Sequence, residues 1–252
     1  MASVVKILGD SIALSGAFRR AAEDFSSRNA HKSALVLGAT GEVGREVVGH
    51  LLASGAFEKV TVFVRRPIEY TGPNADKLEQ KAIDFEDTAT MERDFAGHTH
   101  AFSCLGTTRG KSGADGFYKI DHDYTMNAAK ACKSVQVEHY SICSSAGANK
   151  DSFFLYPKTK GQVDHEVSAL GFPRVSVFRP AMLECDRGEG RWAERLVTAV
   201  LPVLKAVAPK SVAVKTSTVG WAMVNNAFVE VETPVAEIIS NADMLDAFAN
   251  SK

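Results

Sequence analysis

An α/β fold built on a doubly wound parallel sheet is predicted by three observations. The apolar run Ser33-Ala34-Leu35-Val36-Leu37 leads straight into a glycine turn, Gly38-Ala39-Thr40-Gly41-Glu42-Val43-Gly44. Strand-like and helix-like segments then alternate along the chain, and the strand-like ones end in small or polar residues. Strands alternating with helices require right-handed crossovers, which lay them parallel in one sheet with helices on both faces. A chain of 252 residues can form one such domain with a substantial core, and no linker-like stretch divides it. The expected layout is a single domain over residues 1–252, with a helical extension over 1–30 and a cap region from about 181 to 252.

Taken in order, Ser15 to Phe25 has the composition of a short amphipathic helix. Its arginines would suit a mitochondrial presequence, but Asp10, Glu23 and Asp24 argue against one, and the charges lie on the wrong side of the apolar part for a secretory signal. This helix is expected to pack on the domain or to dock a partner. Ser33–Leu37 is the first buried strand, and the helix after the glycine turn carries Val43, Val47, Val48, Leu51 and Leu52 on its apolar face. Lys59 to Val64 is the second strand; Pro67, just after Arg65-Arg66, ends it. Lys81–Phe85 is a short strand, and Ala101–Leu105 another, ending at Gly106. Ile120–Ser134 is helical, His139–Cys143 is a strand ending at Ser144-Ser145, and Tyr156–Leu170 is helical. Arg174–Phe178 is a strand stopped by Arg179-Pro180, and helices over Trp192–Ala206 and Thr218–Val229 build the cap.

Composition excludes several roles. The formal net charge of −1 and the lack of a basic block argue against nucleic-acid binding. No apolar stretch approaches the length of a membrane span. Cys104, Cys132, Cys143 and Cys185 lack metal-site spacing and fit the reduced thiols of an intracellular protein, Cys185 being the one expected to be accessible. His122 and Asp123 fit surface or capping groups, and no His/Cys/Asp set suits a metal.

The glycine turn carries the first chemistry. Gly38, Gly41 and Gly44 let the backbone turn tightly and approach a pyrophosphate, whose charge meets backbone N–H groups and the positive helix end. The spacing is G-x-x-G-x-x-G rather than the stricter G-x-G-x-x-G, and a plain strand–helix turn is the competing reading. A site for NAD usually places an acid at the end of the second strand, where this chain has Arg65-Arg66. A guanidinium forks onto a 2′-phosphate that a carboxylate would repel, so the expected cofactor is NADPH; solvated strand-end charges are the alternative. Tyr156 and Lys160, four residues apart, leave one helix face, and Pro157 fits the first turn. Such a pair suits carbonyl reduction, because an adjacent ammonium stabilises the phenolate of a group with a reference pKa near about 10. Ser144 or Ser145 can donate to the substrate oxygen, or can satisfy loop amides. Arg109 and Lys111 read as exposed loop charges more readily than as a site for an anionic substrate.

Together the glycine turn, Ser144-Ser145 and Tyr156-x-x-x-Lys160 resemble the Rossmann-like short-chain dehydrogenase/reductase superfamily, in its atypical branch. The chain is similar in particular to the HIV Tat-interacting protein family of NADPH-binding, oxidoreductase-like proteins. That likeness runs from about Phe25 to about Arg187, and Leu105-Gly106-Thr107-Thr108-Arg109-Gly110 is its most distinctive stretch. Lys119-Ile120-Asp121-His122-Asp123 and Ser144-Ser145-Ala146-Gly147-Ala148 also resemble a fungal mitochondrial outer-membrane branch. The resemblance implies cofactor contacts at Thr40, Gly41, Glu42, Val43, Arg65, Arg66, Leu105, Gly106, Tyr156, Lys160, Leu183 and Arg191, with Tyr156 as proton donor or acceptor. The chain departs from the animal members at Pro157 and at Ala146, which replaces a lysine. Two functions are expected from this set. One is reduction of a small carbonyl compound by NADPH, with Tyr156, Lys160 and Ser144 (or Ser145) as catalytic groups. The other is a non-catalytic, NADPH-responsive binding protein with a partner such as a nuclear-import receptor. The expected location is cytoplasmic, with the nucleus and the mitochondrial outer surface as alternatives.

Overall fold

The computed structural model describes residues 4–28, 31–107, 109–184 and 212–252. Cys185, Arg187, Arg191 and the helix expected over 192–206 lie outside the described residues. The chain opens with β1 (Val5–Leu8), α1 (Gly16–Arg28), β2 (Ser33–Leu37), α2 (Glu42–Ser54) and β3 (Lys59–Phe63). It continues through β4 (Ile68–Thr71), β5 (Leu78–Lys81), α3 (Thr88–Phe95), β6 (His100–Ser103) and α4 (Arg109–Tyr118). A π-helical turn, Lys119–Tyr124, joins α4 to α5 (Thr125–Ser134). Then come β7 (His139–Cys143), α6 (Leu155–Ala169), β8 (Arg174–Arg179) and β9 (Met182–Glu184). The last elements are β10 (Ala213–Lys215), α7 (Thr216–Phe228), β11 (Val235–Ser240) and α8 (Asn241–Asn250).

Seven strands form one parallel sheet in the order β11-β8-β7-β6-β2-β3-β5. The central strands β2 and β6 are buried along their whole length, so that even the polar Ser33, His100 and Ser103 lie inside. The strand order reverses between β2 and β6, and in such sheets the crevice at that switch point receives the ligand. Two apolar layers cover the faces, one built with α1, α2 and α7, the other with α3, α5 and α6.

Three expectations change. Residues 212–252 do not form a separate cap: β11 extends the main sheet beside β8, and α7 packs directly on α2. That packing is close, since a Cβ on Gly220 would meet the Glu46 Cβ at 2.5 Å. The third sheet strand is Leu78–Lys81, not Lys81–Phe85. It is a polar edge strand fixed by Gln80, whose side-chain amide donates to the Ile68 carbonyl and whose oxygen accepts from the Ile68 N–H. Arg109 and Lys111 begin a helix, kinked at Gly113, instead of lying in a loop.

The N-terminal extension is integral to the core. Phe18 and Phe25 of α1 are buried, and their rings lie 5.4 Å and 5.2 Å from Phe228 of α7. Burying each contributes about 2 kcal/mol. Ahead of α1, β1 pairs in parallel with β4, a two-stranded sheet the sequence pattern does not announce.

Buried histidines make the fold acid-sensitive. Burial pushes His50 down to about 4, against a hydrogen bond with the Glu46 carbonyl, and pushes His100 down to about 3. His139 is also held well below its ordinary value by burial. In the unfolded chain these rings titrate near about 6.5. Between that value and the folded ones the unfolded state binds more protons, so stability is complete above about pH 6.5 and falls as pH is lowered. The expected slope is about 1.4 kcal/mol per pH unit for each histidine. Urea midpoints should therefore drop between pH 7.5 and 5.5, and His100→Phe should flatten the drop; a flat profile in the parent protein would contradict this account.

Candidate functional site

The site opens at the carboxyl ends of β2 and β6. Gly38 leaves β2 at φ 76°, and a Cβ there would lie 2.4 Å from the Cys104 carbonyl oxygen at the end of β6, so only glycine fits. Gly41 donates its N–H to the Gly38 carbonyl at 3.0 Å and then stands as the N-cap of α2. No side chain caps that end. The N–H groups of Glu42, Val43 and Gly44 in the first turn have no intrahelical acceptor and are left for an anion. Gly44 is forced by packing, because a Cβ would sit 2.2 Å from the Gly38 carbonyl oxygen.

Beside this turn lies a cavity of about 180 Å³. Gly38, Thr40 and Gly41 line one side and Cys104, Leu105 and Gly106 another. Arg65 reaches it from the end of β3, whereas Arg66, also exposed, does not line it. Ile83 and Phe85, in the loop after β5, form an apolar wall with Tyr124, whose ring stacks on Phe85 at 5.3 Å. The sequence predicts none of these three as cavity residues: it puts Ile83 and Phe85 in a strand and Tyr124 in a helix, and the loop that brings Ile83 and Phe85 over the cavity carries no signal in it.

Tyr156 and Lys160 lie on the first turns of α6. The Tyr156 side chain is 47% exposed and rests on Phe117, with ring centroids 5.6 Å apart. Lys160 is buried, and its Nζ lies 2.7 Å from Asp121 Oδ1. The other Asp121 oxygen accepts the Thr107 N–H at 2.8 Å. A Cβ on Gly106 would come within 3.6 Å of Lys160 Nζ, so the ammonium sits under the cavity wall. Burial works to lower the Lys160 pKa, but the charge and hydrogen bond of Asp121, with Tyr156 and Cys143, hold it above its ordinary value. Burial pushes Cys143 up to about 11 and Cys104 well above the usual thiol range, so both stay protonated.

The serine pair divides. Ser144 is buried, and its hydroxyl, with Arg179 and Lys160, offsets the burial that raises the Asp164 pKa. Its hydroxyl oxygen is shielded from solvent in this structure. Ser145 is partly exposed and donates only to the neighbouring Ala146 carbonyl, at 3.2 Å. His122 is not a free surface group. It stacks on Tyr118 at 4.6 Å and bridges Asp123 and Glu166. Leu183 is exposed on β9. Phe153 and Phe154, just ahead of Tyr156, are strongly exposed. Among the described residues no His/Cys/Asp/Glu group could hold a metal ion, and no helix is long and apolar enough to cross a membrane.

Comparisons with known proteins agree with this geometry. The profile of the NAD(P)H-binding family matches residues 38–225. Protein HTATIP2 of Rattus norvegicus is 41% identical over 204 residues, covering 81% of this chain and 84% of that protein. Protein FMP52-1, mitochondrial, of Scheffersomyces stipitis is 40% identical over 156 residues, 62% of this chain and 69% of its own length. Among solved structures, a short-chain type dehydrogenase/reductase from Mycobacterium ulcerans matches with a TM-score of 0.59 at 16% identity, covering 85% of this chain and 90% of its own. The triphenylmethane reductase of Citrobacter sp. complexed with NADP(H) gives 0.55 at 16% identity, covering 81% and 68%. These structural likenesses speak for the fold. With the relative that spans most of its length and a family profile that spans the cavity, this chain belongs to the NAD(P)H-binding family and, within it, to the Tat-interacting protein family.

Proposed function

We propose that this protein is an NADPH-dependent oxidoreductase that reduces a carbonyl compound. The observation that carries the reading is the shared placement of Tyr156 and Lys160 at the start of α6, with the ammonium under Gly106 at the wall of the dinucleotide cavity. NADPH bound there would supply the hydride. Glu42, Val43 and Gly44 would meet its pyrophosphate through their N–H groups, and Thr40, Gly41, Leu105 and Gly106 would lie along it. The Lys160 ammonium would donate to the nicotinamide ribose. The Tyr156 hydroxyl would hand its proton to the substrate oxygen, and Ser144 or Ser145 would hold that oxygen by a second hydrogen bond. Leu183 would border the nicotinamide end; a role for Arg191 stays a proposal from family resemblance. The test is a panel of carbonyl compounds assayed by loss of NADPH absorbance, and an inactive panel in a protein that binds NADPH would remove the enzyme reading.

The choice of NADPH over NADH rests on Arg65 at the cavity and Arg66 next to it. Replacing both by alanine should weaken NADPH far more than NADH, by about 10-fold to 100-fold, since a charge-assisted bond to the 2′-phosphate contributes about 1.5–3 kcal/mol. Calorimetric titration of the two cofactors measures this, and equal affinities in the parent protein would refute it.

A second reading, an NADPH-responsive binding protein, is favoured by the exposed pair Phe153 and Phe154 beside Tyr156. The apolar face of α1 offers no such surface, because Phe18 and Phe25 are already buried. Location is proposed as cytoplasmic, against the mitochondrial site that the name of the fungal relative suggests for that protein; cell fractionation decides.

A further inference from the structure

Asp121 lies in the π-helical turn between α4 and α5, flanked by Lys119, Ile120, His122 and Asp123, and it alone of these is buried. A π turn carries one more residue per hydrogen-bonded loop than an α turn, and such turns recur at functional sites because they re-aim one side chain. Here the re-aimed side chain is a carboxylate with a split task. Oδ2 accepts the Thr107 N–H at 2.8 Å, which ties it to the loop after β6. Oδ1 lies 2.7 Å from Lys160 Nζ, and a Cβ on Gly106 would be 3.4 Å from it. Both side chains are nearly excluded from solvent, at 1% and 10% exposure. A charge buried to that degree is retained only where a partner compensates its desolvation. Without Asp121, a long flexible lysine stem would have no fixed end at this place.

We propose that Asp121 is the positioning residue of Lys160. Anchored by the Thr107 N–H, it keeps the ammonium charged and aimed beside Gly106, where it receives the dinucleotide ribose. The inference rests on the reading of Lys160 as a ribose contact. The titratable groups facing Lys160 are Asp121 from the π turn, Tyr156 and Asp164 from its own helix, Cys143 from β7 and Cys104 from β6. Of these, Asp121 lies against the ammonium as an ion pair, and burial leaves both thiols protonated.

The experiment measures NADPH affinity by calorimetry at pH 7.0 and 9.5 for the parent protein, D121N, K160M and D121N/K160M. The parent should change by less than about threefold between the two pH values. D121N should weaken by about tenfold or more on going to pH 9.5, because a buried ammonium without its carboxylate loses its proton there. K160M should be weak at both values, and adding D121N to it should change nothing further, the signature of a residue that acts through another. If D121N fails to fold while D121N/K160M folds, the lone buried charge is the fault and the proposal stands. It is overturned if both fail to fold, if D121N loses affinity equally at both pH values, or if the two substitutions add. If K160M binds NADPH as the parent does, the ribose contact itself falls, an outcome distinct from failure of Asp121. Absence of carbonyl turnover leaves all these readouts intact.

Discussion

Tyr156→Phe is expected to cut NADPH-dependent carbonyl reduction by about 10²–10⁴-fold while leaving NADPH affinity within about twofold, as for a positioned general acid. Tyr156 is 47% exposed and its ring is already held by Phe117, so phenylalanine keeps the packing and removes only the hydroxyl. Lys160→Ala should damage both quantities. It removes the ammonium beside the phenol and leaves Asp121 buried with only the Thr107 N–H. Steady-state kinetics with the most active carbonyl, together with calorimetry, separates the two patterns. Unchanged kcat in Tyr156→Phe would end the proposed role of that residue.

Gly41→Val should abolish NADPH binding, by at least about 100-fold or roughly 2.7 kcal/mol, in a protein that still folds. Gly41 is exposed at φ −78°, an ordinary conformation for any residue, and its nearest neighbour to a Cβ is the Gly38 carbonyl oxygen at 3.3 Å. The added methyls would therefore fill the space in front of the helix end, where the pyrophosphate has to approach. Gly44→Val is the contrast. Its Cβ would drive into the Gly38 carbonyl at 2.2 Å, so the turn and α2 should be lost with it. Thermal melts beside titrations distinguish a blocked site from a broken one, and retained NADPH binding in folded Gly41→Val would show that the turn does not hold the phosphates.

What the sequence made legible follows from burial. Strands β2 and β7 have the limits that the sequence predicts, because each is a short buried run closed by a turn, Gly38 after β2 and Ser144-Ser145 after β7. The polar edge strand Leu78-Glu79-Gln80-Lys81 escaped for the opposite reason: half of it faces water, and its register comes from Gln80 and from pairing with β3. β11 has a clean alternation of half-buried and exposed residues, yet it follows the region where periodicity faded and was absorbed into an expected cap. At the site, the glycine turn was legible because steric demands at Gly38 and Gly44 leave one residue type. Asp121 was not. An acid in the run Lys119-Ile120-Asp121-His122-Asp123, two residues from a second one, looks solvated, and only the π turn separates its environment from that of Asp123.

The parallel pairing of β1 with β4 ties the first described residues of the chain to the side of the cavity that Arg65 lines. β4 begins at Ile68, directly after Arg65-Arg66-Pro67, and Val5 is its partner in register. This contact joins segments some sixty positions apart in the sequence. An affinity tag or fluorophore attached just ahead of Val5 would thus report on, and disturb, the loop that carries the two arginines. A label after α8 would sit clear of it.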